Sequence, residues 1–255
     1  MYKPIKELGQ NFLVDKNISR DMVEALDIVD GDEIIEIGPG HGAVTEALGD
    51  RVKDTKSVVR AVEVDERFIG KLVNMFLYEP NVKIVEDNIL DYLPDYEPQG
   101  EFKIIGSLPY YITSPILHAV IKMEKLPKMC VFLIQDEVAI KVSSTSPDAS
   151  YLSSFTQTFF DVEYLFKVEK DMFKPEPKVN GAVIKLVRRD ANYDRKFIEK
   201  YEGFLHKGFA SPRKMLNKQF TKDELEKGGI HASLRPQNLS ADEWVKFFKD
   251  LHNEV

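Results

Sequence analysis

A glycine-rich segment is the first feature of this sequence whose residues could bind a ligand. Residues 36–42 read Glu-Ile-Gly-Pro-Gly-His-Gly and lie between a short apolar run and a helical pattern. Glycines at such a turn can adopt positive φ angles and let the backbone approach a ligand closely. Gly38, Gly40 and Ala43 also fit the G-x-G-x-x-A pattern, so the segment alone does not separate an NAD site from an S-adenosylmethionine site. A tight turn that binds nothing is the remaining alternative.

Two carboxylates stand at the ends of the next two predicted strands. Glu63 is placed where a carboxylate can accept hydrogen bonds from both hydroxyls of a ribose. Asp65 is better placed to cap the helix that follows. Asp87 comes just after the third strand, where it could accept an adenine amine. A residue of this kind is also a common turn former, and that interpretation stays open.

A third polar segment, Ser107-Leu108-Pro109-Tyr110, directly follows the fourth predicted strand. It resembles the Asn/Asp-x-Pro-Tyr signature of methyltransferases that act on the amino groups of bases. An exocyclic adenine amine is a poor nucleophile, because its lone pair is delocalised into the ring, and acceptors around it would favour a pyramidal nitrogen. Pro109 stiffens the loop and removes a donor, and Tyr110 can stack on a base taken out of its helix. A proline turn with a packing tyrosine is the alternative.

An open, mainly parallel sheet would bring these segments together. Apolar, β-branched runs predict strands at 33–37, 58–64, 82–85, 102–106, 129–135, 164–168 and 182–187, the last two antiparallel. Helical patterns lie between several of them, including one capped by Asp15, one over 65–78 and one starting at Ser114-Pro115. This alternation predicts an α/β, doubly wound, Rossmann-like sheet covered on both faces.

A small helical domain follows the last strand. Helices are predicted over 193–210, 212–220 and 241–253, and Ser240 with Glu243 forms a capping box for the last of these. We therefore divide the chain into a catalytic domain at 1–189 and a helical domain at 190–255.

The charge distribution is uneven. A net charge of −7 argues by itself against nucleic acid as a partner. Between Gly203 and Lys222, however, there are bases and no acid, and a second basic excess spans 167–189. The bases of the first run are Lys207, Arg213, Lys214, Lys218 and Lys222. The two runs indicate a local phosphate-binding surface, although a solvated face would explain either run alone.

The cysteine, the apolar stretches and the histidines indicate where the protein is found and whether it holds a metal. Cys130 is the one cysteine and lies in an apolar run, so it is predicted to be a buried core residue. The residues Met1 to Pro4 do not begin a signal peptide, and no apolar stretch approaches the ~20 residues of a membrane span. The few histidines show no metal-ligand spacing. We expect a soluble, cytoplasmic, monomeric protein without a metal.

Taken together, these segments resemble one family, the small-subunit ribosomal RNA adenine dimethyltransferases, to which the erythromycin-resistance ribosomal methylases are close relatives. The similarity covers most of the chain in the family's order. It includes residues 8–15, 36–42, 63–65, 87, 107–115, 135–139, 173–179 and 213–214. The Gly-Gln-Asn-Phe-Leu segment that begins at Gly9 and the Phe-x-Pro-x-Pro-Lys-Val segment that begins at Phe173 are specific, whereas the glycine loop is not.

The resemblance implies a class I methyltransferase that dimethylates adenine amines of small-subunit ribosomal RNA during ribosome biogenesis. It implies S-adenosylmethionine as cofactor, with Asn11 and Leu13 closing over its methionine part and Gly38 beneath. Glu63 would hold the ribose and Asp87 the adenine amine.

The resemblance also implies catalytic residues. Ser107, Leu108, Pro109 and Tyr110 would form the catalytic loop, with Ser107 also next to the cofactor. Phe173 would stack on the target base opposite Tyr110. The helical domain would help to dock an immature small ribosomal subunit.

Three positions depart from the family's usual pattern: Ser107 replaces an asparagine, Asn180-Gly181 replaces Asp-Ser, and Pro212 precedes Arg213-Lys214 where paired arginines are frequent. Only the first of these, Ser107, lies in the segment expected to carry out catalysis. It leaves open a second hypothesis, a catalytically weak RNA-binding factor for ribosome assembly or transcription that retains the fold. An NAD-dependent dehydrogenase is disfavoured because nothing marks a hydride-transfer site.

Overall fold

The structure, a computed structural model, describes residues 11–190 and 193–252. The predictions about Met1 to Pro4, the family segment from Leu8 to Gln10 and the helix end at Asn253 lie outside these residues. Within the described residues, no helix is both long and apolar enough to cross a membrane.

Strands and helices alternate along the first two thirds of the chain. The strands are β1 Phe12–Leu13, β2 Glu33–Ile37, β3 Val58–Glu63, β4 Val82–Glu86, β5 Phe102–Ser107, β6 Met129–Gln135, β7 Phe160–Val168, β8 Phe173–Lys174 and β9 Gly181–Arg188. The helices are α1 Lys16–Ala25, α2 Ala43–Val52, α3 Glu66–Met75, α4 Ile89–Tyr92, α5 Thr113–Ile121, α6 Asp136–Ser143, α7 Tyr151–Phe159, α8 Arg195–Phe209, α9 Lys222–Lys227 and α10 Ala241–His252.

Seven of these strands form one sheet in the order β4-β3-β2-β5-β6-β9-β7. The pairs β2–β3, β3–β4, β2–β5 and β5–β6 are parallel, and β9 is antiparallel to β6. Strand order reverses between β2 and β5, because the chain adds β3 and β4 on one side and β5 and β6 on the other. Such a reversal opens a crevice beyond the carboxyl ends of the strands, which is where open α/β sheets bind ligands. The predicted doubly wound sheet is confirmed.

The central strands form where apolar residues run without alternation, as expected for a parallel sheet covered on both faces. Ile34 and Ile35 on β2 and Ile104 and Ile105 on β5 are all completely buried. The helices begin at side chains that satisfy free backbone N–H groups. Asp15, for example, accepts hydrogen bonds from the N–H groups of Asn17 and Ile18 at 2.8 and 3.0 Å.

A second, two-stranded sheet joins distant parts of the chain. Phe12 on β1 is paired with Lys174 on β8, and Leu13 is paired with Phe173. The Val14 N–H donates to the Met172 carbonyl at 2.9 Å, which extends the pairing. The two segments that resemble the family most specifically are therefore neighbours in space.

The described residues form two compact units. The first contains residues 11–139 and 163–188, and the second contains residues 140–162 and the described residues from 189 onward. The predicted division at 189/190 assigned residues 140–162 to the catalytic domain. In the structure α7 instead belongs to the second unit, where it packs against α8 and α10.

The second unit has an aromatic core. Tyr201, Trp244, Phe247 and Phe248 are completely buried, and the Phe204 ring lies among them. The capping box of α10 is confirmed: the Glu243 N–H donates to Ser240 Oγ at 3.2 Å, and Glu243 Oε2 accepts the Ser240 N–H at 2.8 Å.

Two local predictions were wrong, and several short helices were missed. Residues 212–220 contain only a short 3-10 turn, Leu216–Lys218, in place of a helix. The helix α5 begins one residue before Ser114, so Ser114 is not its cap. Helices α4, α6, α7 and α9 were not predicted, because they are short and α7 runs directly into β7. Local patterns do not mark such boundaries well, since packing against the rest of the unit decides them.

Candidate active site

A cavity of about 300 Å³ lies in the first unit at the carboxyl ends of the central strands. Four neighbouring strands each supply one of the predicted residues to its lining: Gly38 follows β2, Glu63 ends β3, Asp87 follows β4 and Ser107 ends β5. The reversal of strand order between β2 and β5 therefore places the candidate residues around one space.

The remaining walls are mostly apolar and suit a flat ring system. They are formed by Phe12, Ile37, Val62, Val64, Phe68, Ile89, Leu90, Pro109, Tyr111, Ile112 and Ile116. Polar groups are few by comparison, and an apolar pocket with a few placed polar groups is typical of a small-molecule or cofactor site.

The glycine loop has the backbone conformation that the sequence predicted. Gly38, Gly40 and Gly42 have φ angles of 64°, 53° and 87°. A Cβ added to Gly38 would meet nothing within 4 Å, so this position opens to the cavity. A Cβ added to Gly40 would lie 2.9 Å from the ring of Phe12. Both the turn and the close approach of Phe12 therefore depend on glycine.

Glu63 is a buried carboxylate held by backbone donors. Its Oε2 accepts the N–H of Gly40 at 2.9 Å, and its Oε1 accepts the N–H groups of Val64 at 3.0 Å and Asp65 at 2.9 Å. Burial raises the pKa of Glu63, and these backbone hydrogen bonds offset part of that effect. A carboxylate offers about four acceptor positions, so one remains, on Oε2, for a hydroxyl group of a ligand. Asp65 caps α3 as predicted, by accepting the Arg67 N–H at 3.1 Å.

Asp87 lies at the open side of the cavity. Its side chain is exposed, and its Oδ1 accepts the Asn88 N–H at 2.7 Å. Its own N–H donates to the Glu63 carbonyl at 3.0 Å, which fixes the backbone at the end of β4. The position thus combines the turn-forming role with access to a ligand.

The segment Ser107 to Tyr110 leaves β5 at the edge of the cavity. Ser107 is opposite Leu133 of β6, and the N–H of Leu108 donates to the Leu133 carbonyl at 2.9 Å. Ser107 and Pro109 line the cavity, whereas the Leu108 side chain is buried in the core. The Pro109 carbonyl accepts the N–H of Ile112 at 3.1 Å, so one of its two lone pairs is already used.

The aromatic residues are arranged differently from the prediction. Phe173 is only 2% exposed and packs in the hydrophobic core of the first unit, so it cannot stack on a base in this conformation. The Tyr110 hydroxyl is buried without a partner among the described residues, and burial raises its pKa to about 12. Neither ring lines the cavity. Tyr111, which the sequence did not single out, lines it and is 56% exposed.

A smaller cavity of about 30 Å³ adjoins the first, since Asn11, Phe12, Gly38 and Ser107 line both. Leu13 and Glu36 line only the smaller one. Glu36 is 1% exposed, and its Oε2 has no hydrogen-bond partner among the described residues. Burial raises its pKa to about 8.

The structure therefore brings together Asn11, Leu13, Gly38, Glu63, Asp87, Ser107 and Pro109 around the two cavities. Glu36 belongs to the glycine segment but was not predicted to be a site residue. An acid between apolar residues, directly before the glycine loop, was the signal that could have found it. Phe12 and Tyr111 carried no local signal, because an aromatic residue beside a loop is as consistent with core packing as with a site.

The family model and the relatives that match this chain agree with each other. The family model described as "Ribosomal RNA adenine dimethylase" matches residues 2–253. A Sulfurihydrogenibium protein named ribosomal RNA small subunit methyltransferase A is 35% identical over 99% of this chain and 98% of that protein. A Hydrogenobaculum protein of the same name is 39% identical over 85% of this chain and 82% of its own length.

Solved structures agree with the sequence relatives. The 23S rRNA methyltransferase ErmE has a TM-score of 0.75 and 25% identity, covering 95% of this chain and all of that one. A dimethyladenosine transferase from Plasmodium falciparum has a TM-score of 0.80 at 22% identity, covering 95% of this chain and 98% of its own, and shows the same fold. These relatives give no support to an RNA-binding factor without activity. The chain belongs to the ribosomal RNA adenine dimethylase family, whose members are S-adenosylmethionine-dependent methyltransferases.

Proposed function

We propose that the residues around the two cavities bind S-adenosylmethionine and position an adenine of small-subunit ribosomal RNA for dimethylation of its exocyclic amine. The observation that carries this proposal is the convergence of Gly38, Glu63, Asp87 and Ser107 on one cavity at the reversal of strand order. We further propose that the enzyme acts as a monomer in the cytoplasm on an immature small subunit.

The residues present fit the cofactor. Gly38 leaves open space where any side chain would project, so its backbone can lie against the methionine part beneath Asn11 and Leu13. Glu63 is fixed by three backbone N–H groups and keeps one acceptor position, so it can accept a ribose hydroxyl without reorganising. Asp87 is exposed at the cavity's edge and can accept an adenine amine.

The catalytic loop would receive the target base. When bound, the cofactor supplies an electrophilic methyl group. Ser107 lines both cavities, so its hydroxyl can face the cofactor and the target amine together. Pro109 closes the wall beside it and cannot present an N–H to the amine. Leu108 anchors this loop in the core.

Stacking on the target base requires a change in the aromatic side chains. Tyr110 and Phe173 would both have to turn out of their present positions to reach a base in the cavity. Tyr111 already has its ring at the opening. Removing the Phe173 ring from the core would cost part of its burial energy, which for a phenylalanine is about 1.5–3 kcal/mol. We propose that the bound base repays this cost by stacking.

Methyl transfer tests the function directly. The protein should transfer labelled methyl groups from S-adenosylmethionine to small ribosomal subunits that lack them. Mapping the labelled nucleotides should place the label on adenines of the small-subunit RNA. Absence of transfer to unmodified subunits, with transfer by a known family member in parallel, would contradict the proposal.

Three exposed bases of the second unit should contribute to RNA docking. Lys207 and Lys222, two of the five bases in the predicted run, are ion-paired with acidic neighbours. Arg213, Lys214 and Lys218 are exposed. Changing these three to glutamate should weaken binding to ribosomal RNA several-fold and flatten its salt dependence, because fewer counterions are released. Filter binding across a salt series would measure both effects.

A charge-matched control variant distinguishes the effect of these three residues on RNA binding from the effect of the protein's net charge. Lys53, Lys56 and Lys83 are exposed on the first unit near the amino ends of the strands, opposite the cavity edge of the sheet. Changing these three to glutamate alters the net charge equally and should leave the salt slope unchanged. Equal loss in both triple variants would mean that overall charge, not the segment around Arg213, controls RNA binding. Cofactor affinity should be unaffected in either.

A further inference from the structure

Glu36 is a buried acid that the proposed reaction does not use. It lies on β2, one residue before the strand's end, and is 1% exposed. Its Oε2 atom has no hydrogen-bond partner among the described residues. A buried polar atom without a partner is costly, and a bound ligand that paired with it would remove this cost.

The side chain faces a space where a ligand group could lie. Glu36 lines the smaller cavity of about 30 Å³ together with Asn11, Leu13, Gly38 and Ser107. This volume holds one or two water molecules or one small polar group. Asn11, Gly38 and Ser107 also line the large cavity, so the small one is an extension of it at the end proposed for the methionine part.

Among the described residues, no cation contributes to lowering the pKa of Glu36. Glu63 on the adjacent strand repels a negative charge there, and burial raises the pKa of Glu36 to about 8, an effect that Thr45 of α2 only partly offsets. His41 in the glycine loop has its pKa lowered by burial and by Lys71, which favours its neutral form.

Charged groups on the neighbouring elements have partners elsewhere. Arg60 of β3 is paired with Ile35, so its side chain leaves the face of the sheet opposite to that of Glu36 and acts there on Tyr92 and Tyr96. On the helices, Lys16 of α1 binds Glu46 of α2 at 2.8 Å. On β5, Lys103 binds Asp32 at 2.8 Å, at the opposite end of the strands from the cavity. In the free protein Glu36 therefore carries its proton at neutral pH.

We propose that Glu36 gives up this proton to solvent when the α-ammonium group of S-adenosylmethionine enters the small cavity, so that cofactor binding is linked to the release of a proton. The free state is a neutral carboxylic acid, and the bound state is a carboxylate beside a cationic ammonium group, with the proton transferred to the buffer. The assignment rests on the proposed function, because it takes the cavity as the cofactor site.

The sign of the pH dependence follows from this linkage. The complex holds fewer protons than the separated partners, so cofactor affinity should increase as pH rises toward about 8. The increase should approach about tenfold per pH unit for one released proton. At higher pH the ligand's own α-amino group, with a reference pKa of about 7.7–8.0, loses its charge and the increase should end.

Isothermal titration calorimetry tests the proposal. Titrating S-adenosylmethionine in buffers of different ionisation enthalpy, somewhat below neutral pH, should show release of about one proton per cofactor bound. S-adenosylhomocysteine should give the same result, because it keeps the ammonium group and lacks the sulfonium charge. Glu36→Gln, which imitates the protonated acid, should bind without this release and with a weaker pH dependence. Glu46→Gln, an exposed acid on α2, should behave as the wild type does.

Infrared spectroscopy can follow the protonation of Glu36 directly. This measurement does not require the Glu36→Gln variant to bind the cofactor. The band of a protonated carboxyl group, absent in Glu36→Gln, should be present in the free wild type and disappear when cofactor is added. Binding without proton release, or equal release by wild type and Glu36→Gln, would overturn the assignment. No binding of cofactor at all would overturn the proposed function, and the assignment with it.

Discussion

Replacing Glu63 by alanine should weaken S-adenosylmethionine binding about ten- to hundredfold. Hydrogen bonds to a charged group contribute about 1.5–3 kcal/mol, and the variant removes the acceptor proposed for a ribose hydroxyl. It also leaves three backbone N–H groups without their carboxylate, one of them from Gly40 in the glycine loop. Calorimetry with the cofactor would measure the loss, and circular dichroism would confirm that the variant folds.

Two further variants test whether the loss is specific to the Glu63 carboxylate. Glu63→Gln keeps the shape but places an amide N–H₂ group opposite backbone donors, so it should also bind weakly. Glu66→Ala removes a nearby exposed acid in the first turn of α3 and should bind the cofactor normally. Unchanged affinity in Glu63→Ala would show that this carboxylate does not contact the cofactor.

Restoring asparagine at position 107 should accelerate methyl transfer about five- to a hundredfold. An asparagine carbonyl reaches one atom further from the backbone than a serine hydroxyl, so the Ser107 hydroxyl falls short of the position that the carbonyl would take, and a bridging water can fill this gap. A lost transition-state hydrogen bond of about 1–3 kcal/mol corresponds to a rate deficit of this size. The backbone of β5 is fixed by its pairing with β6, so the longer side chain should extend into the cavity.

Single-turnover methylation of the same subunits by wild type, Ser107→Asn and Ser107→Ala would test this. We expect Ser107→Asn to be the fastest and Ser107→Ala the slowest, with smaller differences in cofactor affinity. Equal rates in all three would mean that position 107 makes no catalytic contact. A wild type without detectable transfer that is rescued by Ser107→Asn would instead favour the RNA-binding-factor hypothesis.

Much of the sheet could be predicted from the sequence because its strands are apolar and end at clear turns. The predicted spans of β2 and β6 agree with the structure, and those of β3, β4 and β5 differ by one residue at one end. The span of β9 differs by one residue at each end, and β7 begins four residues earlier than predicted. The second unit was predicted less well. Its loops depend on aromatic packing around Trp244 and Phe248, which leaves little trace in local periodicity.

The sequence by itself determined which polar residues meet at the cavity. Gly38, Glu63, Asp87 and Ser107 each stand at the carboxyl end of a parallel strand, and such ends share one edge of a sheet. Their convergence therefore follows from strand prediction, even though they are far apart along the chain. The family resemblance, confirmed by the comparisons, identified the chemistry that this edge performs.

Only the tertiary structure decided which of the candidate side chains are buried and which groups they contact. Phe173 was predicted to face a base, but its pairing with Leu13 across β1 and β8 turns its ring into the core, whereas Tyr111 remains at the cavity. Glu36 was one acid in a motif until folding buried it and thereby raised its pKa. The physical reason is the same in both cases. Solvent exposure and protonation depend on contacts between residues distant in the chain, and local patterns of residue type do not encode those contacts.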